Sequence, residues 1–201
     1  MLDAIEKIDI QLFFLINRGG QNDVFDWFMP FMSDLSNFYI PLTIFWLFLV
    51  LKKNVTYRTV AVAILILISL SEWLSTDVLK PAVNRPRPFH SQSHVHLYDR
   101  MSKTWQVTPV LASTIRNESH AMPSSHATNI FAAAVFLSAF LKRSWPLFYL
   151  IAVLVGYSRV YLGVHYPFDV VCGAIAGTVC GLLLIWSCRH IIGIIESKRT
   201  G

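Results

Sequence analysis

Ser158-Arg159-Val160-Tyr161-Leu162-Gly163-Val164-His165-Tyr166-Pro167-Phe168-Asp169 places an arginine, a histidine and an aspartate at the junction of two apolar runs, Trp145 to Tyr161 and Phe168 to Trp186. Ionisable groups at the edge of such runs are costly to hold and mark functional sites. Proline is favoured in the first turn of a helix, so the spacing predicts that Asp169 lies in the opening turn of the last apolar helix. Four residues separate it from His165. That interval lets the carboxylate reach back to one imidazole nitrogen, fix the tautomer and raise the basicity of the other nitrogen. Arg159 adds a planar donor fork that matches phosphate oxygens. The stretch reads as a nucleophilic or basic histidine beside an anion clamp.

The rest of the chain supplies the setting. At 201 residues the length suits a single domain, 1–201, but 54% hydrophobic with only 14% charged residues is not a soluble composition and points to a bilayer. Five dense apolar runs stand out: Phe38 to Leu51, Val60 to Leu79, Thr128 to Leu141, Trp145 to Tyr161 and Phe168 to Trp186. The expected fold class is all-α, a polytopic membrane helical bundle with five transmembrane spans plus an N-terminal interfacial or sixth helix. Within residues 1–33, the apolar pieces around Ile8 to Ile16 and Val24 to Met32 are each too short for ~30 Å of hydrocarbon. Ile5, Ile8, Leu12 and Ile16 form a helical stripe suited to an interface or to the bundle surface. No basic region opens the chain and Arg18-Gly19-Gly20 cuts the first apolar stretch short, so no cleavable signal is expected.

Orientation follows from basic residues. If the runs alternate, Lys52, Lys53, Arg58, Lys142, Arg143, Arg189, Lys198 and Arg199 share one side, which the positive-inside rule makes cytoplasmic. Lys80, Arg87, His126, Arg159 and His165 then gather at the opposite, outer ends. The net charge of +5 is scattered over helix ends and lacks the basic, aromatic stripe of a nucleic-acid binder.

Two further segments complete a pattern. Lys80-Pro81-Ala82-Val83-Asn84-Arg85-Pro86-Arg87-Pro88 follows one apolar run, and Pro123-Ser124-Ser125-His126 precedes another. With Ser158 to Asp169 they match, in order and spacing, Lys-x6-Arg-Pro, Pro-Ser-Gly-His and Ser-Arg-x5-His-x3-Asp. The chain thereby resembles the type 2 phosphatidic acid phosphatase (PAP2) superfamily, in its bacterial membrane lipid phosphatase branch, over Lys80 to Asp169. Ser125 departs from the family glycine but keeps the backbone N–H.

The resemblance implies hydrolysis of a phospholipid or of a polyprenyl or lipid A phosphate, with no metal and no other cofactor. Vanadate-using relatives of the superfamily are soluble and do not fit this composition. His165 would attack phosphorus, His126 would protonate the departing oxygen, and Asp169 would support His165. Lys80, Arg87, Ser124, Ser125 and Arg159 would hold the phosphate, where clustered positive charge offsets the anion's resistance to attack. Ser124 is also a suitable N-cap for a helix beginning near Ser125. The wording Asn84-Arg85-Pro86-Arg87-Pro88-Phe89 leans toward relatives that act on undecaprenyl diphosphate. Lipid A 1-phosphate, phosphatidylglycerol phosphate and phosphatidate complete the candidate list. The expected location is the bacterial cytoplasmic (inner) membrane, multi-pass, with the site toward the periplasm or exterior.

Other polar residues take structural readings. Arg85, outside the motif positions, is free to meet a lipid phosphate. Glu72 and Asp77 are expected to be countercharges for Lys80 or Arg159. His90, His94, His96 and His120 lack the carboxylate or cysteine company of a ligand set, so no metal site is expected. Asn117-Glu118-Ser119 matches a glycosylation sequon. Gly173, Gly177 and Gly181 recur every fourth residue and predict close approach of a neighbouring helix. Cys172, Cys180 and Cys188 recur every eighth, on roughly one helical face, as small packing residues rather than a disulfide framework. A transporter or non-enzymatic bundle with an outer phosphate-binding site is the alternative. Charges at several depths would favour it, whereas these gather at one end.

Overall fold

The computed structural model describes residues 2–109 and 120–200, so the Asn117 sequon lies outside the described residues. Its helices are α1 (Leu2–Asn17), α2 (Asp23–Ser33), α3 (Tyr39–Leu51), α4 (Val55–Trp73), α5 (Lys80–Val83), α6 (Pro88–Ser91), α7 (Ser125–Phe140), α8 (Trp145–Tyr161) and α9 (Pro167–Thr200). A short antiparallel hairpin, β1 (His96–Asp99) with β2 (Thr104–Val107), interrupts the helices, pairing His96 with Val107 and Asp99 with Thr104.

Two helical stretches among the described residues are long and apolar enough to cross a membrane, Val55–Val83 and Pro167–Ile195, each of 29 residues. The pair Asp23–Ser33 and Leu35–Leu51 bends by 72°, making a third if the pair counts as one span. α7 and α8 have 16 and 17 residues. At about 1.5 Å per residue these reach roughly 24 to 26 Å, short of a full ~30 Å core. Outward faces carry large apolar side chains, with Ile40 75%, Leu183 63% and Trp186 74% exposed, as lipid-facing residues are.

α7 is the axis of the bundle. Ala127, Thr128, Ala132, Ala134, Val135, Phe136 and Leu137 are all buried, and α4, α8 and α9 pack around it. Lipid is as apolar as leucine, so close van der Waals packing, rather than exclusion of water, must hold these helices together. The glycines of α9 provide it. A Cβ built on Gly177 would stand 2.1 Å from the Thr128 carbonyl oxygen, and one on Gly173 2.6 Å from that of Ser124. The eight-residue cysteine repeat does not keep one face: Cys172 is exposed, Cys180 intermediate and Cys188 buried. Eight residues overshoot two helical turns by about 80°.

α1 turns its stripe outward, with Ile5, Ile8 and Leu12 exposed, and buries Asp9, Phe13 and Asn17 on the opposite face. The buried face is the informative one. Asn17 donates Nδ2 to the His96 and Tyr161 carbonyls (2.7 and 2.8 Å) and accepts from the His96 N–H (3.0 Å). It pins the hairpin to the end of α8.

Candidate active site

Each motif sits where the chain leaves or enters a helix. Pro81 lacks an N–H and its ring crowds the carbonyl four residues back. The preceding turn, Leu74–Leu79, is correspondingly widened to a π-helix, and the Lys80 N–H bonds to Ser75, five residues back. Such turns are frequent at functional sites. Asn84 then ends α5 in the left-handed conformation at φ 50°. The Ala121 N–H donates to the Arg85 carbonyl (2.7 Å), tying the first motif to the second.

Ser124 caps α7 as expected, its hydroxyl accepting from the Ala127 N–H. Its own N–H donates to the Asp169 carbonyl at 2.9 Å, which ties the second motif to the third. α8 ends through Gly163, at φ +80°, where a Cβ would meet Val95 Cγ1 at 2.7 Å and the His96 carbonyl at 2.8 Å. Val164 and His165 N–H groups both turn back onto the Arg159 carbonyl (3.3 Å each). α9 then opens with a reciprocal cap: the Asp169 N–H donates to the Tyr166 carbonyl (3.1 Å) and Asp169 Oδ2 accepts from the Tyr166 N–H (2.7 Å).

These turns bring the sequence candidates together. Lys80, Arg87 and Arg159 lie within electrostatic reach of His165, and Lys80, Arg159 and His165 within reach of His126. Four of the five buried side-chain polar atoms that find no protein partner among the described residues belong to the motifs: Arg87 Nε, Ser125 Oγ, Arg159 Nε and His165 Nδ1. Buried polar atoms normally find partners. Here the unpartnered atoms lie on three separate segments, at the ends of the helices that carry the motifs. Arg159 also donates to the Ser33 hydroxyl at the end of α2.

His165 lies in the loop between α8 and α9 and is 2% exposed. Burial, and then the charges of Arg159, Arg87 and Lys80, hold its imidazole well below the usual value. The ring is therefore neutral near pH 7, with a lone pair available. Burial likewise lowers Arg87, against an opposing pull from Asp169, but a guanidinium is so strongly basic that it stays charged.

Three expectations need correction. Asp169 Oδ2 stands 3.7 Å from His165 Nδ1, too far for a hydrogen bond. The Tyr166 N–H on Oδ2 and Arg85 NH1 on Oδ1, at 2.8 Å, hold the carboxylate in that position. Arg85 is not free for lipid: its second nitrogen holds Asp9 Oδ2 at 2.7 Å, and its guanidinium stacks 4.2 Å from the Tyr166 ring centre. Burial disfavours its charge, but Asp169 and Asp9 outweigh that and raise its pKa. Glu72 and Asp77 make no direct ion pair with Lys80 or Arg159, although Glu72 lies close enough to act on Lys80 as a countercharge. Glu72 accepts from Asn129 Nδ2 (2.5 Å), linking α4 to α7, and Asp77 accepts from Thr76 (3.1 Å).

Three of the four loop histidines have partners in the fold, His120 through its backbone. His96 stacks on Trp105 (4.1 Å) and meets Asp26 (3.4 Å), His90 packs against Phe89 (4.1 Å), and His120 bridges to Pro86. Among the described residues no group of three His, Cys, Asp or Glu is gathered as metal ligands. Sequence reasoning missed Asp9, Ser33 and the tie between Arg85 and Asp169. An acid inside the apolar stretch Ile8 to Ile16 was the available signal for Asp9.

Fold and site together define a helical membrane bundle that brings Lys80, Arg87, Arg159, His126 and His165 within electrostatic reach of one another. The chain belongs to the PAP2 superfamily, whose sequence model matches residues 59–191. It is 27% identical to the lipid A 4'-phosphatase of Bacteroides thetaiotaomicron over 98% of this chain and 84% of that one. It is 30% identical to the undecaprenyl-diphosphatase of Sulfolobus acidocaldarius over 88% of this chain and 77% of that one. In fold it resembles the crystal structure of the first transmembrane PAP2 type phosphatidylglycerolphosphate phosphatase from Bacillus subtilis, with a TM-score of 0.66, 23% identity and coverage of 94% and 88% of the two chains.

Proposed function

We propose that this membrane phosphatase hydrolyses a lipid phosphate or diphosphate at the non-cytoplasmic surface through a phosphohistidine intermediate on His165. The buried, unpartnered atoms of Arg87, Ser125 and Arg159, together with the closeness of Arg159, Arg87 and Lys80 to His165, carry the proposal. Lys80, Arg87 and Arg159 neutralise the phosphate, and Ser124, Ser125 and the α7 N-terminus add donors to its oxygens. The neutral His165 nitrogen forms a P–N bond as the P–O bond to the lipid breaks, and His126, able to hold a proton once the bound phosphate's negative charge offsets Arg159 and Lys80 beside it, gives that proton to the departing oxygen. Water then attacks the phosphohistidine with His126 as base, releasing inorganic phosphate and restoring both rings. Asp169 supports His165 by fixing the first turn of α9 beside it.

The five runs α3, α4, α7, α8 and α9 cross the bilayer, with the ends of the shorter α7 and α8 at headgroup depth. There the lipid's phosphate meets the pocket while its chains stay between helices. The relatives' substrates make undecaprenyl diphosphate and lipid A phosphates the first candidates, with phosphatidylglycerol phosphate and phosphatidate behind them. Basic residues on the opposite helix ends favour a site facing the periplasm of a bacterial cytoplasmic membrane.

A rapid neutral quench with radiolabelled lipid phosphate, followed by peptide mapping, tests the central step. Label is expected on His165, and His165→Ala should lose both label and turnover while keeping its melting temperature. Label on any other residue would refute the assignment.

A further inference from the structure

Asp9, in α1, lies outside the matched residues 59–191, yet it is fully buried against the pocket's support. Its Oδ2 holds Arg85 at 2.7 Å, and Oδ1 accepts from the Phe168 N–H at 2.9 Å, in the first turn of α9. Arg85 reaches on to Asp169 Oδ1 at 2.8 Å, and Asp169 stands beside His165. The side chains of Asp9 and Asp169 are both 0% exposed, and that of Arg85 is 18% exposed. A guanidinium is a rigid fork, so holding one carboxylate on each arm sets the distance between them.

We propose that Asp9 is a positioning residue for the phosphatase reaction: through Arg85 it locks Asp169 and the first turn of α9, and so fixes His165 for in-line attack. The N-terminal helix is thus part of the catalytic frame. The inference rests on His165 being the nucleophile. It separates Arg85 from Arg87, two residues on, whose Nε is left for phosphate while Arg85 is consumed by two acids.

The test is steady-state kinetics of the full chain in detergent, with undecaprenyl diphosphate or phosphatidate, whichever the wild type hydrolyses faster. Asp9→Asn keeps an oxygen for the Phe168 N–H but removes the charge facing Arg85. Outer-shell groups that orient a reacting residue are commonly worth 10- to 100-fold, so kcat should fall by about that factor. KM should stay within about threefold, because Lys80, Arg87 and Arg159 are untouched. On an Asp169→Asn background the same change should add less than about twofold, since both act through one chain of contacts.

A merely structural role would lower the melting temperature and the folded yield but leave kcat per folded molecule unchanged. Wild-type kcat in Asp9→Asn, with Asp169→Asn impaired, would overturn the proposal. Full turnover in His165→Ala would instead refute the assignment of the nucleophile. Should Asp9→Asn not fold, Arg85→Lys serves: a point charge cannot bridge two carboxylates as a fork does, so the same kcat loss is expected and wild-type kcat would overturn the proposal.

Discussion

Replacing Gly177 with alanine probes how the bundle holds the site. The added Cβ would lie 2.1 Å from the Thr128 carbonyl oxygen and 2.9 Å from the Ala132 nitrogen, both backbone atoms that no rotamer change can move. Ordinary contact begins at 3.4 Å, so α9 and α7 must part by about 1.3 Å. Gly173→Ala requires about 0.8 Å against the Ser124 carbonyl, and Gly181→Ala about 0.5 Å against that of Ala132. Gly193→Ala meets nothing within 4 Å. Alanine is intrinsically the better helix residue by about 1 kcal/mol, whereas overpacking costs about 1–3 kcal/mol. Gly193→Ala should therefore be neutral or stabilising, and Gly177→Ala the most destabilising of the four.

Parting the two helices also separates α7, with Ser124 and His126, from α9, with Asp169. The Ser124-to-Asp169 backbone bond is 2.9 Å long, and an added ångström breaks it. A misplacement of about 1 Å commonly reduces turnover about 100-fold, so kcat should fall about that far in Gly177→Ala. Phosphate release from lipid substrate, paired with thermal unfolding in the same detergent, reads both effects. The order of loss should be Gly177, Gly173, Gly181, then Gly193 with none. Wild-type kcat and melting temperature in Gly177→Ala would refute the packing account.

Two other outcomes follow from the site. Burial and neighbouring cations lower the pKa of His165, so the ring stays neutral as pH falls past 6.5, and the acid limb of kcat/KM should lie below that value once the substrate's own ionisation near pH 6 is allowed for; a protein-derived limb at or above 6.5 would contradict a depressed nucleophile. In spheroplasts with the native cysteines replaced, an impermeant thiol reagent should label Ser102→Cys in the hairpin but not Ser144→Cys beside Lys142 and Arg143, and the reverse pattern would turn the site to the cytoplasm.

Much of this protein was legible in order and spacing alone. The apolar runs, the proline that opens α9, the serine that caps α7 and the three motifs are local signals, and local signals survive in a linear string. Gly173, Gly177 and Gly181 likewise announced a close helix contact, because a four-residue repeat returns to one helix face. What the string did not contain was how each carboxylate divides its lone pairs. Asp169 sits at the right interval to meet His165, yet Arg85 and the Tyr166 N–H hold its carboxylate 3.7 Å from the imidazole. The partner of Arg85 lies 76 residues away on α1, and no periodicity links them. Tertiary structure alone decides such pairings, because a buried charge takes whichever counter-charge the packing of distant helices brings within about 3 Å.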